Sequence, residues 1–246
     1  TALDANDQVT DAFTITVSDD ATPSLSDTMT VTITITGAND APSAGSDQTG
    51  SVTEDASTTT ATGTVSGTDA DDSASLTYTP NTNSGTYGSI AFSGASWTYT
   101  LDNSDADTTA LDANDQVTDT FTVTVSDSVA SDTMDIVITV TGANDAPSAG
   151  SDQTGSVVED ASTSTVTGTV SGTDADDSAS LTYTASNSGS GTYGSIAFSG
   201  AAWTYTLDNS DADTTALAAG ASVSDAFTIT VSDGTASDTM SITIGI

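Results

Sequence analysis

The seventeen residues TGANDAPSAGSDQTGSV occur at 36–52 and again at 141–157 without a substitution. Around them most of the chain repeats as well. Gly37 recurs as Gly142 after 105 positions, Tyr87 as Tyr193 after 106, and Thr1 as Thr109 after 108. The drift lies in loops: VSDDATPSLSDTM shortens to VSDSVASDTM, and TYTPNTNSGTYG lengthens to TYTASNSGSGTYG. A period this long exceeds a solenoid unit of about 20–45 residues. It suits a small domain that buries a core of its own. Two complete copies are therefore expected at 37–141 and 142–246. Residues 1–36 match only the last third of a copy, and read as the end of an incomplete repeat in a window cut from a longer repetitive chain.

Within a copy the hydrophobic pattern has period two. SWTYTL sets Trp97, Tyr99 and Leu101 on one face and Thr98 and Thr100 on the other. Phe121, Val123 and Val125 do the same in TFTVTV, as do Ile136, Ile138 and Val140 in DIVITV. Apolar residues alternating with Thr mark half-buried antiparallel strands. Together with GSVTED, STTTATGTVSG, SLTYT and YGSIAFS they make about seven strands per copy, with Gly, Asp, Asn and Ser turns between them. No stretch sustains a helical period. The expectation is an all-β chain of tandem seven-stranded Ig/cadherin-like Greek-key β-sandwich domains, their strands lettered A to G. Trp97 and Trp203 alternate with Tyr99 and Tyr205, which places them in the core.

The charge is one-sided. The 246 residues include 35 acidic side chains and no Lys, Arg, His or Cys, and the only glutamates are Glu54 and Glu159. No carboxylate has a protein cation to pair with, and two such charges 4 Å apart repel by about 4 kcal/mol at an effective dielectric near 20. A compact fold then requires that the carboxylates be dispersed in water, screened by salt, or neutralised by bound metal. The composition excludes a disulfide framework and the Lys/Arg contacts on which nucleic acid and anionic membranes depend. No apolar run reaches the roughly 18 residues of a membrane span, so no direct membrane insertion is expected. Without His, Cys or Lys there is no usual base to activate a serine, and no enzyme is expected. The regular bursts of β-branched and aromatic residues argue against disorder.

In a seven-stranded sandwich the B–C and F–G loops lie at the end where the chain arrives, and the A–B and E–F loops where it departs. The acids fall at those ends. At the arriving end of the first complete copy are Asp69, Asp71 and Asp72 of TDADD, Asp127 closing strand F, and the incoming joint Asn39–Asp40. At its departing end are Glu54 and Asp55 after strand A, Asp105 and Asp107 of the E–F segment, and the outgoing joint Asn144–Asp145. The second copy supplies Asp174, Asp176, Asp177 and Asp233, then Glu159 and Asp160 at its far end. Asp in a turn commonly serves only to cap its own backbone. Carboxylates gathered from two loops of each neighbour, with no base among them, instead fit a hard cation. Ca²⁺ takes six to eight oxygens from carboxylates, Asn and backbone carbonyls, whereas zinc and copper favour His or Cys. The E–F segment TALDANDQ becomes TALAAGAS in the last copy, losing the equivalents of Asp112, Asn114 and Asp115.

TEDAS, GTVSGTDADD, GTYGSIAFSGASWTYTLDN, DTFTVTVSD and VITVTGANDAP, taken in that order, resemble the VCBS-type repeat, a cadherin-like domain of bacterial RTX-class surface adhesins. The resemblance covers both complete copies and the partial one. It implies an extracellular, cell-surface location and a role in adhesion or biofilm matrix. It also implies junctions rigidified by Ca²⁺, with Glu54, Asp69, Asp71, Asp127, Asn144 and Asp145 similar in position to cadherin ligands. GANDAP has Gly where cadherins carry the first linker Asp and is one residue shorter, so one or two ions per junction are expected. The glycine-rich nonapeptides of RTX proteins do not occur.

Two functions follow. One is a calcium-rigidified spacer in a stalk or surface filament, with neighbouring repeats of the same chain as partners and lateral or head-to-tail self-association between molecules. The other is a glycan- or protein-binding surface module. Near-identical copies suit the spacer.

Overall fold

The computed structural model describes residues 3–71 and 74–246; of the sites expected above, Asp72 lies outside them. The chain divides into two compact units. One takes the residues up to Val52, Ala56–Asp102 and Val117–Val140; the other takes Thr53–Asp55, Asn103–Gln116 and Thr141–Ile246. The turn after strand A and the E–F segment of the first complete copy are thus grouped with the second copy.

The first unit opens with an antiparallel hairpin, β1 (Gln8–Ser18) and β2 (Ser26–Thr36). The first complete copy follows as β3 (Ser43–Ala44), β4 (Gln48–Thr53), β5 (Thr60–Thr64), β6 (Gly67–Thr68), β7 (Thr77–Pro80), β8 (Gly88–Ser93), β9 (Ser96–Leu101), α1 (Ala106–Thr109), β10 (Gln116–Ser126) and β11 (Ser131–Thr141). One sheet runs β4-β11-β10-β7 and the other β5-β9-β8, with β3 and β6 paired at the side. This is the sandwich the alternation predicts, with strands A and B each broken into two pieces.

The second copy repeats the plan with β12 (Ser148–Ala149), β13 (Gln153–Ser156), β14 (Thr165–Thr169), β15 (Gly172–Thr173), β16 (Thr182–Ala185), β17 (Gly194–Ser199), β18 (Ala202–Leu207), α2 (Ala212–Thr215), β19 (Ser224–Ser232) and β20 (Ser237–Gly245). Its sheets run β13-β20-β19-β16 and β14-β18-β17. β13 lies parallel to β20, the first-to-last pairing that a Greek-key sandwich produces.

Burial follows the period-two pattern. Trp97, Tyr99 and Leu101 of β9, Phe121, Val123 and Val125 of β10, and Met134, Ile136, Ile138 and Val140 of β11 are all buried. Each such side chain contributes about 1.5–3 kcal/mol on leaving water. The Thr residues between them face outward or sit half-covered. Gly63 makes room for the indole: a β-carbon there would lie 2.5 Å from Trp97 Cζ2, and Gly168 stands in the same relation to Trp203. The E–F segments each hold a one-turn helix, too short for a helical period to show in sequence. Asp105 and Asp211 cap these turns, accepting the backbone N–H of Asp107 and Asp213.

Each sandwich also holds an acid in its core, Asp119 in the first complete copy and Asp225 in the second. The core-facing register of β10 reads Asp119, Phe121, Val123, Val125, and Asp119 is as buried as its apolar neighbours. It accepts hydrogen bonds from Tyr99 Oη at 2.8 Å, Thr86 N at 2.7 Å and Tyr87 N at 3.2 Å. Asp225 repeats the arrangement with Tyr205 Oη, Thr192 N, Tyr193 N and Gly194 N. Burial and the neighbouring carboxylate both push the Tyr99 and Tyr205 hydroxyls far above the ordinary tyrosine range. Among the described residues no helix is long and apolar enough to cross a membrane.

Candidate metal centre

Glu54 leaves the end of β4 and turns inward. Its backbone N–H donates to Thr141 O at 2.9 Å, and its Oε2 accepts Ala143 N at 3.1 Å. These bonds lay the carboxylate beside the Asn144–Asp145 joint. Glu54 is 2% exposed, and its Oε1 has no hydrogen-bond donor.

The joint is held by the loops of the second copy. Asn144 Nδ2 donates to Asp233 Oδ2 at 3.0 Å and to the carbonyl of Asp145. Asp145 N donates to Asp176 Oδ2 at 3.2 Å, and Asp176 N donates to Asp174 Oδ1 at 3.2 Å. Asp233 Oδ1 accepts Thr235 N at 2.6 Å and Ala236 N at 2.7 Å. The backbone thus fixes one oxygen of each of Asp174 and Asp176, and the second is left over. Asp145 Oδ2, Asp174 Oδ2 and Asp176 Oδ1 are buried without a donor. Asp112 completes the wall, accepting Ser178 N at 3.2 Å and the Ser178 hydroxyl. Asp112, Asn144, Asp176, Ser178 and Asp233 line a cavity of about 310 Å³. Everything in this cluster belongs to the second compact unit.

The first unit carries the matching half. Asn39 Nδ2 donates to Asp127 Oδ2 at 2.9 Å, Asp40 N to Asp71 Oδ2 at 3.1 Å, and Asp71 N to Asp69 Oδ1 at 2.9 Å. Asp69 Oδ2 and Asp71 Oδ1 are again buried without donors. Asp4, Asn39, Asp71 and Asp127 line a cavity of about 330 Å³. Residues 1–36 contain no counterpart of Glu54.

The electrostatics follow from the missing donors. Burial raises the Glu54 carboxyl above the ordinary range, and the charges of Asp145, Asp55 and Asp176 add to it against the Ala143 N–H. Asp145 is raised by burial, then by Asp55 and Asp174; Asp176 by burial, then by Asp174, Asp145 and Asp112. Asp71 is raised in the same way, by burial first. Asp127 and Asp233 go down, held chiefly by the N–H of Ala130 and Ala236 and by the joint asparagines.

The remaining expected residues lie apart from these cavities. Asp105 caps α1, and Asp107 is exposed in its first turn; neither lines the cavity. Asp55 is an exposed turn residue at φ 52°, and Asp160 matches it at φ 54°. Asp177 is exposed, its N–H donating to Ala110 O at 3.1 Å. Glu159 is half-buried and faces the E–F loop of the last copy, where Ala218, Gly220 and Ala221 stand in place of Asp112, Asn114 and Asp115.

Among the described residues no three carboxylates already converge tightly enough to hold an ion. Unpaired like charges stand apart for the reason that sets 4 Å pairs about 4 kcal/mol uphill. The donor set still fits a hard cation: oxygens only, several buried, and several with no donor where donors are the rule.

Comparison with known proteins places this fold. The chain belongs to the bacterial cadherin-like domain family, which it matches over residues 39–142 and 144–246. Mouse Cadherin-23 EC22-24 is 16% identical, with a TM-score of 0.55 over 95% of this chain and 73% of its own. Protocadherin Gamma B2 extracellular cadherin domains 1-5 are 18% identical, with a TM-score of 0.58 over 96% of this chain and 44% of theirs. The chain spans 40% of the Protocadherin GammaB4 extracellular domain, at 16% identity and a TM-score of 0.47 over 96% of this chain. At such identities the likeness to the first two establishes the fold alone. A comparison with curated protein sequences returned no match.

Proposed function

We propose that the chain is a calcium-rigidified structural repeat of a bacterial extracellular adhesin stalk or surface filament. In this reading it is a VCBS-type repeat of an RTX-class adhesin, supporting adhesion or biofilm matrix at the cell surface. The observation that carries the reading is Glu54: a fully buried carboxylate with an orphaned oxygen, facing the charges of Asp145 and Asp176 in a chain that has no cation. Glu54, Asn144, Asp145, Asp174, Asp176 and Asp233 would hold one or two Ca²⁺, with Asp112 at the margin. Asn39, Asp40, Asp69, Asp71 and Asp127 would hold calcium at the preceding joint, and Glu159 and Asp160 would offer ligands to a following repeat. The bound ion would neutralise carboxylates that otherwise repel, and so fix each joint. Neighbouring repeats are the partners, arrayed head-to-tail.

Extracellular calcium modules bind at about 10⁻⁴–10⁻³ M. The test compares thermal melting and small-angle scattering in about 5 mM calcium, above that range, and in chelator. Calcium should raise the melting temperature and sharpen the scattering profile toward that of a stiffer particle. Identical melting and scattering in the two conditions would reject the reading.

A further inference from the structure

The acids are spread unevenly over each sandwich. None falls in residues 56–68 or 73–101 of the first complete copy, nor in 161–173 or 178–207 of the second. Those stretches supply every strand of the β5-β9-β8 and β14-β18-β17 sheets. One whole sheet of each sandwich is therefore uncharged, in a chain whose formal charge is −35. The opposite sheet does carry acid. Asp135 of β11 donates its backbone N–H to Asp47 Oδ1 at 2.9 Å, and Ser241 of β20 donates its own to Asp152 Oδ1 at 2.7 Å.

The outer face of the neutral sheet is a regular field of hydroxyls. Thr62, Thr98 and Ala91 stand in one outward-facing rank across β5, β9 and β8. Ser and Thr alone fill the outward-facing ranks on either side of it. In the second copy Thr167, Thr204 and Ala197 repeat the middle rank. All of these side chains are exposed.

Charge decides what suits such a face. A basic partner is drawn to the carboxylates at the ends and on the opposite sheet. A second copy of this chain carries the same −35, and contact through any carboxylate-bearing surface sets like charges against each other. Neutral sheet against neutral sheet keeps those charges behind the contact. A two-fold contact also places the same patch on both molecules, so the patch must be self-complementary. Ser and Thr hydroxyls donate and accept alike and meet that condition; ionised carboxylates only accept.

We propose that the β5-β9-β8 face and its β14-β18-β17 counterpart are the surfaces through which two copies of this chain associate side by side. The contact lies apart from the Asn-Asp joints and does not rest on their binding calcium. Three strands of five or six residues present about 300 Å² of face, against roughly 800 Å² per partner in a stable complex. One pair of faces therefore binds weakly, and the association strengthens with the number of repeats engaged.

Amide NMR spectra of the chain in ~5 mM calcium, at ~0.05 and ~1 mM protein, locate a contact this weak. Raising the concentration should shift the amides of Thr62, Thr98, Thr167 and Thr204 and leave Thr120 and Thr228 of the opposite sheet in place. The shifts should be larger in ~0.5 M than in ~0.05 M NaCl, because salt screens the repulsion between the two chains. The Thr98→Asp, Thr204→Asp variant should lose them, and Thr120→Asp, Thr228→Asp, with the same added charge on the other sheet, should keep them. Spectra that do not change with concentration at high salt would overturn the proposal. So would shifts that map to the opposite sheet, or a response that the two double variants share. The map on the parent chain decides the matter even where a variant fails to fold.

Discussion

Asp119 shows how an acid is accommodated inside a sandwich that has no base. Its carboxyl is buried only because Tyr99 Oη and two backbone N–H groups converge on it. Asp119→Ala leaves those donors buried and unpaired, at about 1–3 kcal/mol apiece. The variant should lose about 3 kcal/mol of stability in urea titration, and Asp119→Asn, which keeps an acceptor, distinctly less. Asp132 and Asp238 give a pH effect of definite sign. Ala44 N–H and Ala149 N–H respectively, then those of Thr133 and Thr239, hold the two carboxyls below the usual carboxylate range. A depressed folded-state pKa stabilises the protein above the unfolded-state value, near 3.9. That stabilisation is lost as pH falls through the depressed value. The melting temperature of the Asp132→Asn, Asp238→Asn double variant should therefore trail the parent at pH ~6 and converge with it below pH ~3. A gap that stays constant with pH would refute the assignment.

At the scale of elements, packing decides what sequence reading can reach. β9, β10 and β11 are legible because Thr alternates with large apolar residues, and their buried positions are those the alternation names. α1 and α2 are not legible, since one turn leaves no period and their caps look like turn aspartates. The breaks in strands A and B leave no trace either, because Gly, Ser and Thr serve strand and bend alike. Asp119 was hidden for a related reason: it follows DANDQ and reads as the tail of a loop. Its place two residues before Phe121 was the available signal, and Asp225 before Phe227 repeats it. The glycines of strand B tie the two faces of the core together. Gly63→Ala puts a methyl 2.5 Å from the Trp97 ring, and overpacking of this kind costs about 1–3 kcal/mol. Thermal melting should show that loss, together with a changed near-UV signal from the displaced indole; a neutral substitution would contradict the packing described.

For the molecule as a whole the governing fact is a formal charge of −35 with no compensating side chain. Sequence spacing alone marked Glu54, Asp69, Asp71, Asp174, Asp176 and the Asn-Asp joints, and the fold leaves an unpartnered carboxylate oxygen on Glu54, Asp69, Asp71, Asp145, Asp174 and Asp176. What spacing could not show was which oxygen of each carboxylate the backbone would claim, or that Asp112 rather than Asp105 would line the cavity. The most direct measurement is calorimetric titration of the metal-stripped chain with calcium, run beside the Glu54→Gln, Asp176→Asn double variant. The account predicts saturable binding in the range of about 10⁻⁴–10⁻³ M or tighter. It predicts that the double variant loses the sites at the Asn144–Asp145 joint and keeps those at Asn39–Asp40. No saturable heat up to ~10 mM calcium, tenfold above that range, or a titration the double variant leaves unchanged, would contradict it.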